Sequence, residues 1–425
     1  MRHRIERRRA WSCACLLISL LAATAGAEDW PRWRGPRGDG TWHGPRLPDK
    51  WPAEGLQTLW TQDIGGGYGG ISVLGSRLYL MDFQKEPQPE ERVRCFDTLT
   101  GKQVWTEKYP VSYKGLDYPN GPRVTPTIDG GRIYTIGSVG HAYCLDAATG
   151  RVIWRKDPQS DYQVKLSEWG VAASPVIYED LVIVHPGAAE NGCLIAFHKL
   201  TGQEVWRAGQ DPCGYSTPIV IDSPSGQQLV LWSPKHILGL DPRTGREYWR
   251  VPYPVTYGVS IATPIYHEGL LLVSGYWEGS KVIRLGTTPT DAKLEWEENK
   301  NLRGLMSPPL YRDGLVYLLD KQLGLTCFEL ATGKKLWDDQ NQMTPRSRNP
   351  QANLVWLEAG KPDRTIILNS EGELILARLN REGYHESSRT KIIESTWAHP
   401  ALAGHRVYAR NDTQLVCVEL VVEAD

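Results

Sequence analysis

Residues 95–105 read CFDTLTGKQVW, and residues 144–154 read CLDAATGRVIW. Further copies are AFHKLTGQEVW (196–206), GLDPRTGREYW (239–249) and CFELATGKKLW (327–337). The shared pattern is a small residue, an acid two places on in most copies, Thr-Gly, and a tryptophan four places after the glycine. A degenerate copy ends in LEW at Trp296, TLW at 58–60 carries only the end of the pattern, and CVEL at 417–420 only its start. Trp60, Trp105, Trp154, Trp206, Trp249, Trp296 and Trp337 thus follow one another at intervals of 41 to 52 residues, and a further step reaches the strand-like TKII at 390–393, which lacks tryptophan. A period of this length marks a repeat architecture.

A second mark keeps the same register. Ser/Thr-Pro recurs at Thr125-Pro126, Ser174-Pro175, Thr217-Pro218, Thr263-Pro264 and Ser307-Pro308, with His399-Pro400 as a late variant. After each proline comes an apolar strand, a polar turn such as DGG or HEG, and a second apolar strand. Each unit therefore reads as four short antiparallel strands, and such units repeated radially make a β-propeller. The count is eight blades, with seven as the alternative because the copies near 296 and 390 are weak. The N-terminal fragment supplies one closing strand and the C-terminal fragment three, so residues near 57–64 are expected to complete the last blade and remove an open sheet edge.

The repeat residues read as scaffold. Gly101, Gly150, Gly202, Gly245 and Gly333 supply the positive φ of a tight turn. Asp97, Asp146 and Asp241 can accept hydrogen bonds from the turn backbone. Each tryptophan is placed to bury its ring between neighbouring blades. Cys95, Cys144, Cys327 and Cys417 share one repeat position, which other copies fill with Ala196 and Gly239, so it is a slot for a small buried side chain. Cys193 and Cys213 remain, and a disulfide between them is left open. Asp338-Asp339 reads as a solvated loop rather than a metal site. The mature part has no CxxCH, CxxC, HExxH, Walker loop or Gly-x-Ser-x-Gly elbow.

The chain of 425 residues opens with MRHRIERRR, an apolar run and small residues at Ala25 and Ala27, the pattern of a secretory signal peptide over 1–27. Arg8 and Arg9 hint at twin-arginine export; Cys13 and Cys15 precede the apolar core and do not suit a lipoprotein site. Removing 1–27 takes five arginines and one glutamate from the 48 basic and 49 acidic residues and leaves a net charge of −5. No basic block survives, which argues against nucleic acid as a partner, and no later apolar stretch is long enough to span a membrane. A segment over 28–56 precedes the propeller at 57–425. The expected product is a secreted or periplasmic monomer.

The repeat resembles the tryptophan-docking motif of the pyrroloquinoline quinone (PQQ) propeller superfamily over roughly 57–420. DWPRWRGPRGDG at 29–40 and SEWGVAASPVIYEDLVIVHPG at 167–187 are similar to secreted bacterial PQQ-like repeat proteins, and the likeness implies an extended segment packed on the propeller's exterior. One branch of the superfamily is non-enzymatic, with the BamB-type outer-membrane assembly factor its best-known member. The other is the quinoprotein dehydrogenases, for which the resemblance implies PQQ, a calcium ion held by carboxylate and amide oxygens, and an acidic base. No Cys-Cys ring of the alcohol dehydrogenase kind is present, and no calcium ligand maps onto a residue.

Function on a propeller sits on its longer loops. Here these are EKYPVSYKGLDYPNGPRV (107–124), DPQSDYQVKLSEWG (157–170) and DDQNQMTPRSRNPQ (338–351). The candidates at the same channel mouth are Arg123, Trp169, Lys235, Tyr257, Arg303, Arg348 and Trp397, with Trp169 as a stacking platform if PQQ binds. The leading expectation is a non-catalytic scaffold presenting this face to a protein or cell-envelope partner, with no assigned catalytic residue, metal or cofactor. The alternative is a PQQ- and calcium-dependent dehydrogenase acting on an alcohol or sugar in the channel.

Overall fold

The structure, a computed structural model, describes residues 27–164, 166–187, 192–304 and 306–423. The signal peptide expected over 1–27 lies, apart from Ala27, outside them. Eight sheets stand around a central channel. Blade 1 is built from Ser72–Leu74, Arg77–Gln84, Glu90–Asp97 and Gln103–Pro110, counted outward from the channel. The next six blades repeat that order over 127–156, 176–208, 219–252, 265–298, 310–338 and 352–391. Blade 8 takes three strands from the C-terminus, Ala401–Ala403, Arg406–Arg410 and Gln414–Glu419, and its outermost strand, Thr58–Asp63, from the N-terminal side. Thr58 pairs with Val418 and Asp63 with Gln414, so the ring closes with no free edge on the outside of that blade. Among the described residues no helix is long and apolar enough to cross a membrane.

The repeat explains the seams. In blade 1 the Asp97 carboxylate accepts the N–H of Leu99 at 3.1 Å and of Thr100 at 2.9 Å, and Gly101 turns the chain at φ 69°. The ring of Trp60, from the preceding blade, lies over that glycine, and its indole N–H donates to the Thr98 carbonyl at 3.1 Å. A Cβ on Gly101 would stand 2.6 Å from the Trp60 ring. The same contact recurs between Trp105 and Gly150, Trp154 and Gly202, Trp206 and Gly245, and Trp296 and Gly333. Trp337 donates to the Asn380 carbonyl at 3.0 Å. Trp249 differs: blade 5 has no Thr-Gly turn, and the Trp249 indole donates instead to Gln228 Oε1 at 2.8 Å. Cys95, Cys144, Cys327 and Cys417 sit buried in the repeat slot opposite the docking tryptophans.

The closing strand of blade 7 is Tyr384–Lys391, which corrects the expected position at 390–393. Ser388, opposite Leu376, occupies the register of the missing tryptophan. The turn that such a ring would cover does not exist, because blade 8 is open at that point between its C-terminal and N-terminal strands.

The Ser/Thr-Pro mark also has a structural role. Gly70 N–H donates to Thr125 Oγ1 at 3.1 Å, Thr125 N–H to Ser174 Oγ at 3.0 Å, and Ser174 N–H to Thr217 Oγ1 at 3.0 Å. These bonds tie the innermost strands of successive blades around the channel.

Residues 29–42 of the N-terminal segment are not packed on the exterior. Asp29 accepts the N–H of Gly75 at the turn between the first two strands of blade 1, and Trp30 exchanges backbone bonds with Val73. The Pro31 carbonyl accepts from Ile128, the Trp33 indole donates to Thr263 Oγ1 at 2.8 Å, and buried Arg34 donates to the Pro309 carbonyl at 2.8 Å. Thr41–Trp42 then pairs in parallel with the innermost strand of blade 7. The segment therefore crosses the channel and touches blades on opposite sides of it. Backbone groups in a channel need partners, and the short innermost strands leave edge groups free to provide them.

Candidate functional site: an aromatic cup in the channel

Arg123, Trp169, Tyr257, Arg348 and Trp397 line one cavity of about 760 Å³ at the channel mouth. Lys235 and Arg303 are not among its lining residues. Lys235 is exposed in the turn of blade 4, and Arg303 is half-buried, with its backbone N–H on Asp320 at 2.8 Å.

The wall is largely aromatic. Trp169 meets Tyr215 edge-on at 5.6 Å between ring centroids, and Trp397 lies 5.8 Å from Tyr68 and 6.0 Å from Tyr118. Trp33 lines the cavity from the N-terminal segment and packs on His399 at 4.1 Å. Burial pushes the His399 imidazole down to about 3, so it is neutral at ordinary pH. Trp232 also lines the cup, and its buried indole N–H has no hydrogen-bond partner among the described residues. Sequence reasoning missed Trp33, Tyr68, Tyr118, Tyr215, Trp232, Tyr276 and Trp277. The available signal was an aromatic out of register with the repeat, which Trp277 in GYWEG and Trp33 both show.

The cations are less available than their positions suggest. Arg123 donates to the carbonyls of Gly121, Asp117 and Tyr118 at 2.8–2.9 Å and to Ser138 Oγ at 3.2 Å, and its guanidinium lies over Tyr68. It clamps its own loop. Arg348 is exposed at the mouth. The acids lining the cup are Asp117 and Glu168. Desolvation and then Asp117 beside it raise the Glu168 carboxyl above its ordinary range.

PQQ is a flat ring system bearing carboxylates. The aromatic walls fit the ring, and Arg348 can meet one acid group. The calcium requirement does not fit: among the described residues no three His, Cys, Asp or Glu side chains converge on a point that could hold a metal ion. Asp339 is not a solvated loop residue. It is buried and accepts the backbone N–H groups of Leu325, Asn341 and Met343 at 2.8–3.0 Å. Cys193 and Cys213 are buried free thiols, Cys193 Sγ lying 3.4 Å from His185 Nε2 and Cys213 Sγ 3.4 Å from the His185 carbonyl.

Eight four-stranded blades with docked tryptophans and a channel cup define an eight-bladed propeller of the PQQ-like class. The family model described as outer membrane protein assembly factor BamB matches residues 89–339 and 233–422. The chain belongs to that family. It is also 27 % identical over 210 residues to the quinohemoprotein alcohol dehydrogenase ADH-IIG of Pseudomonas putida, covering 46 % of this chain and 28 % of that protein. A quinoprotein ethanol dehydrogenase of the same organism is 28 % identical over 153 residues, covering 33 % and 24 %. The chain thus spans about a quarter of the length of these curated relatives. In fold it is similar to BamB from Moraxella catarrhalis, with a TM-score of 0.62 and 17 % identity over 86 % of this chain and all of that one. The quinohemoprotein alcohol dehydrogenase from Comamonas testosteroni gives 0.65 and 14 % over 93 % and 81 %. At these identities the likeness concerns the fold.

Proposed function

We propose that this is an exported propeller that binds a flat ring compound in its channel cup, with a PQQ-type quinone as the occupant its relatives suggest. One observation carries the reading: a cavity of about 760 Å³ whose wall is built from tryptophan and tyrosine on loops outside the repeat. That size is in the range of small-molecule sites, and scaffold alone gives no reason to gather the rings there. The quinone would lie against Trp169 or Trp397, with Arg348 toward one carboxylate. Bound PQQ supplies two-electron oxidation of an alcohol or sugar; this chain's residues stack the ring and shield it from water. Among the described residues the acids lining the cup are Asp117 and Glu168, so this reading gives calcium no part in holding the quinone.

Titration of PQQ into the purified protein, followed by tryptophan fluorescence, tests the reading. Quenching is expected at micromolar PQQ, weakened about tenfold by Trp397→Ala, with calcium leaving the affinity unchanged. Absence of quenching would remove it. The family description favours a second reading, a non-catalytic scaffold offering the mouth face to a protein or envelope partner. It predicts no dye-linked alcohol or sugar oxidation in protein loaded with PQQ; such turnover would eliminate it.

A further inference from the structure

The rim of the cup carries a feature that stacking on its deeper wall does not use. Among the described residues the strongly exposed aromatic side chains are Tyr118 at 40 %, Tyr257 at 72 % and Trp277 at 43 %, and all three line this one cavity. Leaving a large ring in water forgoes the favourable burial of its apolar surface. Tyr118 and Tyr257 also hold φ at 52° and 57°, and they are the aromatic residues with positive φ among those described. A bulky side chain in the left-handed region is unfavourable and persists only where its surroundings hold it.

The surroundings do hold it. Arg123 grips the carbonyls of Asp117 and Tyr118 on one side of the mouth. On the other, Glu278 accepts the N–H of Thr256 at 2.7 Å, one residue before Tyr257. The Lys321 ammonium lies 3.3 Å from the centroid of Trp277, and the Tyr257 ring meets Trp277 at 6.4 Å. The rings are therefore presented to solvent by fixed backbone and a fixed cation, at two independent loops that face each other across the cup.

Polar groups line the same cavity: the Asp117 and Glu168 carboxylates, the Asn349 amide and Arg348. Flat apolar faces together with hydrogen-bond donors and acceptors match a pyranose chain, whose rings offer flat C–H faces and hydroxyl edges. An acidic peptide fits less well, because Arg123 is spent on its own loop and Lys321 on Trp277, which leaves Arg348 to be weighed against the Asp117 and Glu168 carboxylates. We infer that the rim binds a carbohydrate chain, with sugar rings on Tyr257, Trp277 and Tyr118 and hydroxyls on Asp117 and Glu168. This rests on reading the cup as a binding site and adds the class of molecule delivered to it.

Affinity electrophoresis and calorimetry of the full chain with cellohexaose and maltohexaose test the inference, with an acidic hexapeptide as the competing arm. A hexasaccharide is expected to bind, and Tyr257→Ala and Trp277→Ala each to weaken it about tenfold. Tyr257→Phe, which keeps the ring, should retain binding. The inference is overturned if neither sugar binds, if the rim variants bind as well as wild type, or if only the peptide binds. Sugar failure with intact PQQ quenching removes the rim alone; failure of both removes the cup as well.

Discussion

Gly101 shows how one residue carries a seam. Its φ of 69° and the Trp60 ring 2.6 Å from a notional Cβ leave room for no side chain. Gly101→Ala is expected to lower stability by about 2–3 kcal/mol through backbone strain and overpacking, read as a lower midpoint in urea. His185 predicts a pH dependence. It is fully buried among Cys193, Cys213 and the Gly214 N–H, with Asp211 nearby, and burial pushes its imidazole down to about 4. The unfolded chain, titrating near 6.5, takes up the proton first as pH falls. Stability from this group is therefore full above pH 6.5 and declines by roughly 3 kcal/mol down to about pH 4. Urea midpoints at pH 7 and pH 4.5 should differ accordingly, and His185→Gln should flatten the slope. The roles of glycine and tryptophan were legible because a turn and a ring leave fixed letters in every copy. The commitment of Arg123 to carbonyls of its own loop was not, because nothing in a sequence marks which backbone oxygens a guanidinium will meet.

Among the elements, the seam between blades 7 and 8 departs most from the repeat. Ser388 replaces the docking tryptophan, and the gap is filled from the N-terminal segment: Trp51 is buried there, its N–H on Ser388 Oγ and its indole on the Leu374 carbonyl, both at 3.1 Å. Trp51→Ala should therefore destabilise by about 3–5 kcal/mol, as removal of a core tryptophan does, while Ser388→Trp brings no gain, since it has no turn to cover. Thermal unfolding of the two variants decides this. The segment at 28–56 was visible as aromatic and Gly-Pro rich, yet its path through the channel was not. A Trp, Arg and Gly pattern suits any narrow packed route, and only the geometry of the innermost strands, with Thr263 and Pro309 offering partners, draws it inside.

At the scale of the molecule, ring closure is the main constraint. Thr58–Asp63 covers the outer edge of Gln414–Glu419, and buried Arg410 joins blade 8 to blade 1 through the carbonyls of Met81 at 2.6 Å and Gly65 at 2.8 Å. A chain starting after residue 64 should expose that edge and form concentration-dependent oligomers, read as a mass increase by light scattering, whereas the chain from residue 27 stays a monomer. Arg410→Ala should weaken closure without exposing the edge, lowering the unfolding temperature and leaving the mass unchanged. The eightfold repeat, the four-stranded blade, the closing strand and the tryptophan docking were readable in the letters of the chain, because these rest on local turn chemistry copied along it. That residues 29–42 cross the channel, that Arg123 is a clamp, and that rings from loops far apart in sequence form one cup emerges only in the folded ring. Those depend on which loops the closed ring brings face to face, and non-repeating residues carry no periodic signal of their neighbours.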